Sequence, residues 1–461
     1  MLQKYIGDRA FYRRVIAVAL PIIIQNGIAN FVSLLDNIMV GQVGQIPMSG
    51  VAIVNQLMFV FNLCVFGATS GAGIFTAQFH GSGDQEGVRH TFRFKLIIGA
   101  LISALGVAIF LAAGDPLIGL YLTGEGDQAD AAGILSYGHQ YLLVMLWGLP
   151  AFALSNAYAS TLRESGETMV PMVASISAVF VNLIGNWVLI FGHLGAPQLG
   201  VVGAAVATVI SRYVELAIVT AWTHTHGNKM PFITGAFRSL HIPARLLRHI
   251  IIKGMPLLVN EALWSTGMAM LNQCYSTRGL DVVPAQQISS TIYNLGSVVF
   301  LAMGNAVGIL IGQMLGSGES EEKVRDADRK LIFASVVSCV FFGGLMAAAA
   351  PFFPRIYDAT DSVQALATRL ILISALFMPF NGYTNAAYFT LRSGGQTMVT
   401  FLFDSFYVWV FCVPFAYILS RFTGLGILPL YFLCTATDIV KSIIGAIAIK
   451  QGKWMQNLTS K

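Results

Sequence analysis

The sequence predicts an all-α polytopic membrane protein, with twelve transmembrane helices in two pseudo-symmetric parallel six-helix bundles. Three observations carry this prediction. Charged residues make up only 11% of the 461 residues and hydrophobic ones 56%, with a mean hydropathy of +0.70. Soluble domains hold roughly 25% charged residues, so most of this surface must face lipid. The apolar residues gather into twelve runs, each near the ~20 residues that a helix needs to cross hydrocarbon. Finally, the chain repeats itself, half against half.

The spans follow in order. Span one, 15–40, begins after the basic RAFYRR and ends at GQVG. Span two, 49–79, ends at HGSGD. Span three, 94–114, is followed by an acidic loop, 115–131. Span four, 132–158, runs into the string LRESGETMV. Spans five and six, 169–192 and 199–222, are separated by GHLGAP. Span seven, 249–276, ends at STRG. Span eight, 284–312, ends at LGSGE, and span nine, 331–351, follows EEKVRDADRK. Span ten, 364–390, runs into LRSGGQTMV. Spans eleven and twelve, 397–420 and 426–449, close the series. The runs are too long for strands and lack period-two alternation.

LRESGETMV and LRSGGQTMV lie 229 residues apart (391 − 162), and at the same offset Pro150 matches Pro379, Asn156 matches Asn385 and Thr161 matches Thr390. GIFTAQFHGSG and GILIGQMLGSG match at an offset of 235 (308 − 73), as do Pro21/Pro256 and Asn37/Asn272. Six spans return the chain to its starting side, so the halves are parallel repeats, which is a transporter layout. The expected division is an N-terminal six-helix lobe, 1–222, a polar basic linker, 223–248, and a C-terminal lobe, 249–461. The repeated strings read as helix-ending loops.

Of the 27 Lys and Arg, only Arg278, Arg355 and Arg421 fall in outer loops if the N-terminus is inside. The positive-inside rule then puts both termini in the cytoplasm of a multi-pass plasma-membrane protein. The first apolar run is long and lacks a small-residue cleavage site, so it reads as a span rather than a cleaved signal. The five cysteines, Cys64, Cys274, Cys339, Cys412 and Cys434, stand in apolar runs and read as buried hydrophobes. His224 and His226, in the linker, read as solvated side chains rather than metal ligands.

A carboxylate in the bilayer is costly and needs a reason. Glu215 stands three residues from Arg212, and Asp438 three from Lys441, so each pair is expected to neutralise itself on one helix face. Asp36 and Glu261 have no local base. On a wheel of about 100° per residue, Gln25, Asn26, Asn30, Ser33, Asp36 and Asn37 fill one arc of span one. Asn260, Glu261, Ser265 and Asn272 fill the corresponding arc of span seven. Such stripes must face protein or a wet cavity. A lone carboxyl among Asn and Ser oxygens can hold a proton or a Na⁺ ion, and either removes its charge. Asp404, in FLFDSFYVWV, is a further cation-coupling candidate. Pro21 and Pro256 sit inside their spans and are expected to kink them.

ALPIIIQNGIANFVSLLDNIMVGQVG, the glycine-rich ends AQFHGSGD and GQMLGSGE, and the two LRxxGxT strings together resemble the multidrug and toxic compound extrusion (MATE) family of the MOP flippase superfamily. The resemblance covers almost the whole chain. It implies a secondary antiporter that exports amphipathic or cationic organic compounds in exchange for H⁺ or Na⁺. It also implies that Asp36 is the first-helix acid, Pro21 its kink, and Asn182 and Asn186 polar positions of the N-terminal cavity. Glu261 matches the helix-seven glutamate of the NorM-like branch. That branch's helix-ten acid is here Asn381, and the helix-five acid of the DinF-like branch is Asn186, so neither full carboxylate set is present.

No Walker A loop is present, so direct use of ATP is not expected. No HExxH, GxSxG or credible GxGxxG motif suggests an enzyme or a structural metal. No cofactor beyond the coupling ion is expected, with Na⁺ at Asp36 or Glu261 the one metal considered. Small organic molecules and the bilayer are the expected partners, with no nucleic acid, and a monomer is expected. A lipid-linked saccharide flippase of the same superfamily is the alternative, and would need basic residues in its cavity for pyrophosphate. An intramembrane enzyme or receptor lacks a nucleophile–base constellation.

Overall fold

The structure is a computed structural model that describes residues 4–122, 128–357 and 359–459. Part of the acidic loop, residues 123–127, lies outside the described residues. The helices are α1 (Arg9–Gly41), α2 (Gln45–Ser82), α3 (Gln85–Gly119), α4 (Gln128–Met145), α5 (Gly148–Glu164), α6 (Met169–Phe191) and α7 (Val201–Thr225). They continue as α8 (Ala244–Ser276), α9 (Val282–Gly316), α10 (Glu321–Ala349), α11 (Asp361–Ser393), α12 (Thr397–Phe401), α13 (Val413–Phe422) and α14 (Ile427–Lys450). Among the described residues there is no strand.

Among the described residues ten helices are long and apolar enough to cross a membrane, counting Thr397–Phe422 as one, and the α4–α5 pair supplies an eleventh as a single bent span. The twelfth is α8, which has 33 residues. It has the length, but Asn260, Glu261 and Ser265 keep it from standing out by apolarity alone.

Two expected continuous spans are interrupted. The fourth bends by 48° between α4 and α5. Pro150 has no N–H for the Leu146 carbonyl, and Leu149 takes that carbonyl instead in a tighter i→i+3 bond of 3.3 Å. The matching Pro379 stays inside an unbroken α11, so the repeat is not copied at this point. The eleventh span widens into π-helix over Leu402–Phe406 and again over Val408–Cys412. Pro21 and Pro256 lie inside uninterrupted helices.

The repeated strings end their helices by one device. Glu167 N donates to Leu162 O at 2.9 Å and Gln396 N to Leu391 O at 3.1 Å, while Gly166 and Gly395 bond back to Arg163 O and Arg392 O. This is the Schellman pattern, and it needs a left-handed residue. Gly166 (φ +85) and Gly395 (φ +75) supply it. Gly83 and Gly318 close α2 and α9 in the same way.

Cα packing divides the chain into two compact units. One is Ile24–Thr76 with Gln85–Arg248; the other is Met1–Ile23, Ala77–Asp84 and His249–Lys461. In the first, Val54, Val65, Ile118, Leu142 and Ala205 sit at the centre of a core drawn from α2, α3, α4 and α7. The basic linker is docked rather than free. Arg93 donates to Ala236 O (2.8 Å), Gly235 O (2.9 Å) and His241 O (3.1 Å), and Arg89 to Phe232 O (3.1 Å). Phe232, 1% exposed, packs on Phe92, which also meets Tyr158 and Phe237. His224 is exposed and His226 half-buried, and both rings also make contacts. His224 stacks on Phe237 and bonds Tyr158 OH, and His226 stacks on Trp222.

In the second unit, Ile371, Met378, Cys339 and Ala350 form a core between α9, α10 and α11. The C-terminal ends of α2 and α9 cross glycine to glycine in this unit. A methyl on Gly81 would meet the backbone of Gln313, and one on Gly316 would meet that of Gln78. The C-terminal tail lies over this crossing. Gln78 accepts from Leu458 N (2.7 Å) and donates to Ser393 O (2.9 Å) and Gln456 O (3.0 Å), and Trp454 is 1% exposed.

Candidate functional site

Two polar centres are built on the expected acids, one in each unit. The first surrounds Asp36, near the end of α1. Two amides one turn apart on α6, Asn182 and Asn186, face its carboxyl. Asn186 Nδ2 donates to Asp36 Oδ1 at 2.7 Å. In the amide orientation that satisfies its neighbours, Asn182 donates to both carboxyl oxygens at 2.9 Å and accepts from Thr208 Oγ1 at 3.1 Å. Asn186 is 2% exposed, and its own Oδ1 has no hydrogen-bond partner. Among the described residues no Lys or Arg comes within ion-pair distance of Asp36. Glu215 and Arg212, by contrast, form the expected pair at 3.6 Å.

Thr208 and Tyr141 belong to this centre and the sequence did not single them out. Tyr141 is 4% exposed and its OH donates to Asn55 Oδ1 at 3.3 Å. Both residues sit in apolar runs, where a lone hydroxyl carries no periodic signal. The rest of the span-one stripe does not converge on Asp36. Gln25 and Asn26 are half-buried, while Asn30 and Ser33 are exposed. The Asn37 side chain lies outside the described residues.

The second centre is built on α8, the π-helical turn and α14. Asn260, 2% exposed, donates to Asp404 Oδ2 at 3.0 Å. Its own Oδ1 accepts from Ser405 N at 3.3 Å and lies 2.7 Å from Ser405 Oγ. Lys441 forms an ion pair with Asp404 Oδ1 and stands 5.5 Å from the centre of the Phe403 ring. This corrects one expectation: Lys441 is paired with Asp404, not with its helix neighbour Asp438. Lysine's long stem lets it reach across to the facing helix, where Asn260 already holds the carboxyl in place.

Glu261 is half-buried on α8, and the charges that act on it are those of Arg392 and Asp404. Ser265 is half-buried, and Asn272, further along the same stripe, is exposed. Asn381 is half-buried and its amide reaches Phe377 O at 3.4 Å. The structure thus joins Asn260 with Asp404 and leaves Ser265, Asn272 and Asn381 outside that cluster.

A third polar cluster was not foreseen. Lys95, 0% exposed, forms an ion pair with Glu164 and bonds Ser160 Oγ and Thr161 Oγ1, both at 3.2 Å. In the second half Thr390, the match of Thr161, donates through Oγ1 to Asp328 Oδ1 at 2.5 Å. No group of three or more His, Cys, Asp or Glu able to hold a metal occurs among the described residues.

The sequence profile of the MatE family matches residues 21–188 and 256–418. A probable multidrug resistance protein NorM of Thermotoga maritima is 24% identical over 453 residues, covering 96% of this chain and 93% of that protein. Among solved structures, an outward-facing multidrug resistance MATE family transporter of the MOP superfamily superposes with a TM-score of 0.86 at 21% identity, covering 98% of each chain. A variant of the Vibrio cholerae MATE transporter VcmN gives 0.85 at 18% identity, covering 96% of this chain and 97% of that one.

Proposed function

The chain belongs to the MATE family of membrane transporters, and we propose that it is an efflux antiporter. It exports small amphipathic or cationic organic compounds in exchange for H⁺ or Na⁺, by alternating access. The excess of Lys and Arg in the segments read as inner supports a multi-pass plasma-membrane protein with both termini in the cytoplasm.

One observation carries the coupling: Asp36 faces two amides and no fixed cation, and Asn186 Oδ1 is left without a donor. An amide can turn either end to a carboxyl. With Asp36 bare, Asn182 and Asn186 present Nδ2 donors to the anion. With Na⁺ on the carboxyl, they turn their oxygens to it and complete a set of oxygen ligands. A proton removes the charge more simply. In both cases the occupant, not the protein, neutralises Asp36, and that is what makes its charge state a function of ion binding. A flippase for lipid-linked saccharides would need cations free for pyrophosphate, whereas Lys441 is spent on Asp404.

The test is efflux of ethidium from proteoliposomes under an imposed Na⁺ or H⁺ gradient, each applied alone. One gradient drives efflux in the unaltered protein, and Asp36→Asn abolishes it while the protein stays in the membrane. Full gradient-driven efflux by Asp36→Asn would sink the proposal.

A further inference from the structure

The two centres, whose carboxylates do not stand at matching places of the repeat, differ in one respect. Among the described residues the carboxyl of Asp36 has only neutral partners, whereas that of Asp404 has an ammonium group on Oδ1 and an amide on Oδ2. We infer that Lys441 is a tethered cation that fills the Asp404 carboxylate site of the second unit, so that this site takes no transported ion and, of the two amide-held carboxylates, Asp36 is the one left to carry a coupling cation.

The second site is built for a small cation. Asp404 lies in the π-helical turn Leu402–Phe406. Such turns insert a residue into the helix and often mark functional positions. The widened turn brings both Asp404 and Ser405 to Asn260: the carboxyl receives Asn260 Nδ2, and Asn260 Oδ1 receives Ser405 N. Asn260 Nδ2 also lies 3.5 Å from Tyr388 OH. The carboxyl is thereby held by a buried, hydrogen-bonded frame. The charged groups that act with it are Lys441 and Asp438 from α14 and Glu261 from α8, while Arg392 from α11 acts on Glu261. Lys441 feels the charge of both Asp404 and Asp438, so its ammonium sits where a monovalent cation would be drawn. A lysine ammonium is a compact point charge, and its stem fixes it there with no loss of translational freedom on binding. A free Na⁺ cannot compete with a cation whose local concentration never falls.

The inference rests on the coupling role of Asp36 only for its consequence for stoichiometry. The occupancy of the second site is tested by itself, through equilibrium binding of radioactive Na⁺ to the purified full-length protein. Lys441→Met removes the ammonium and leaves Asp404 and Asp438, and it is expected to add one Na⁺ per chain. That added Na⁺ survives Asp36→Asn, disappears on Asp404→Asn, and is displaced by methylammonium, which replaces the lost head group. Asp404→Asn in the otherwise unaltered protein is expected to leave Na⁺ binding unchanged, which decides the matter even where Lys441→Met does not fold. No added Na⁺ in a folded Lys441→Met protein, or a loss of Na⁺ binding in Asp404→Asn alone, overturns the inference. A failure of Asp36 as the coupling group shows separately, as proteoliposome efflux that Asp36→Asn leaves intact.

Discussion

Gly316→Ala puts a methyl into the crossing of α2 and α9. The new carbon would lie 2.6 Å from Gln78 Cα and closer still to the Gln78 carbonyl. Carbon atoms rest at about 3.5–4.0 Å, so the helix ends must part by roughly 1 Å. The obstacle is backbone on both sides, which has no rotamer to change, so the cost falls at the upper end of the ~1–3 kcal/mol typical of overpacking. Parting the helices also disturbs the tail, because Gln78 holds Leu458 N and Gln456 O. Gly81→Ala meets Gln313 Cα at 2.7 Å in the reciprocal contact. The same separation relieves both clashes, so the double variant should cost much less than the sum of the singles. Gly344→Ala is the control: it is in α10, exposed, with nothing within 4 Å of the added carbon, and should be neutral or slightly stabilising. The assay is thermal unfolding in detergent, followed by size exclusion. Gly316→Ala at the unaltered midpoint, or additive losses in the double variant, would refute the close crossing.

Arg93→Ala removes three bonds to linker carbonyls, and is expected to raise the rate of tryptic cleavage at Lys229 or Arg238 several-fold; an unchanged digestion pattern would show that the apolar contacts of Phe232 hold the linker alone. Lys95→Met takes a buried ammonium away from the half-buried Glu164, at a cost of about 1–3 kcal/mol. Adding Glu164→Gln should recover a large part of the lost thermal stability, and no recovery would count against the pair.

The spans and the repeat were legible because hydropathy and repeat offsets are written along the chain. The helix ends were legible too, since Gly166 and Gly395 each mark a left-handed turn whatever surrounds it. Two interruptions were not. Pro150 breaks its span and Pro379 does not, although both precede the same string. The π-turn at Asp404 leaves no mark in FLFDSFYVWV. The acids themselves could be named in advance, but their partners could not.

By itself the sequence determined how many times the chain crosses, that it does so as two parallel copies, where helices stop, and that Asp36 and Glu261 have no base within a turn of them on their own helix. Those properties depend on residue type and on spacing along one helix. Only the tertiary structure decided that Lys441 serves Asp404 rather than Asp438, that Asn182 and Asn186 meet Asp36, that Lys95 is buried on Glu164, and that the tail closes over Gln78. Each of these joins groups from segments far apart along the chain. Which groups meet is set by how the helices pack and how far each side chain reaches, and neither quantity is contained in any single run of residues.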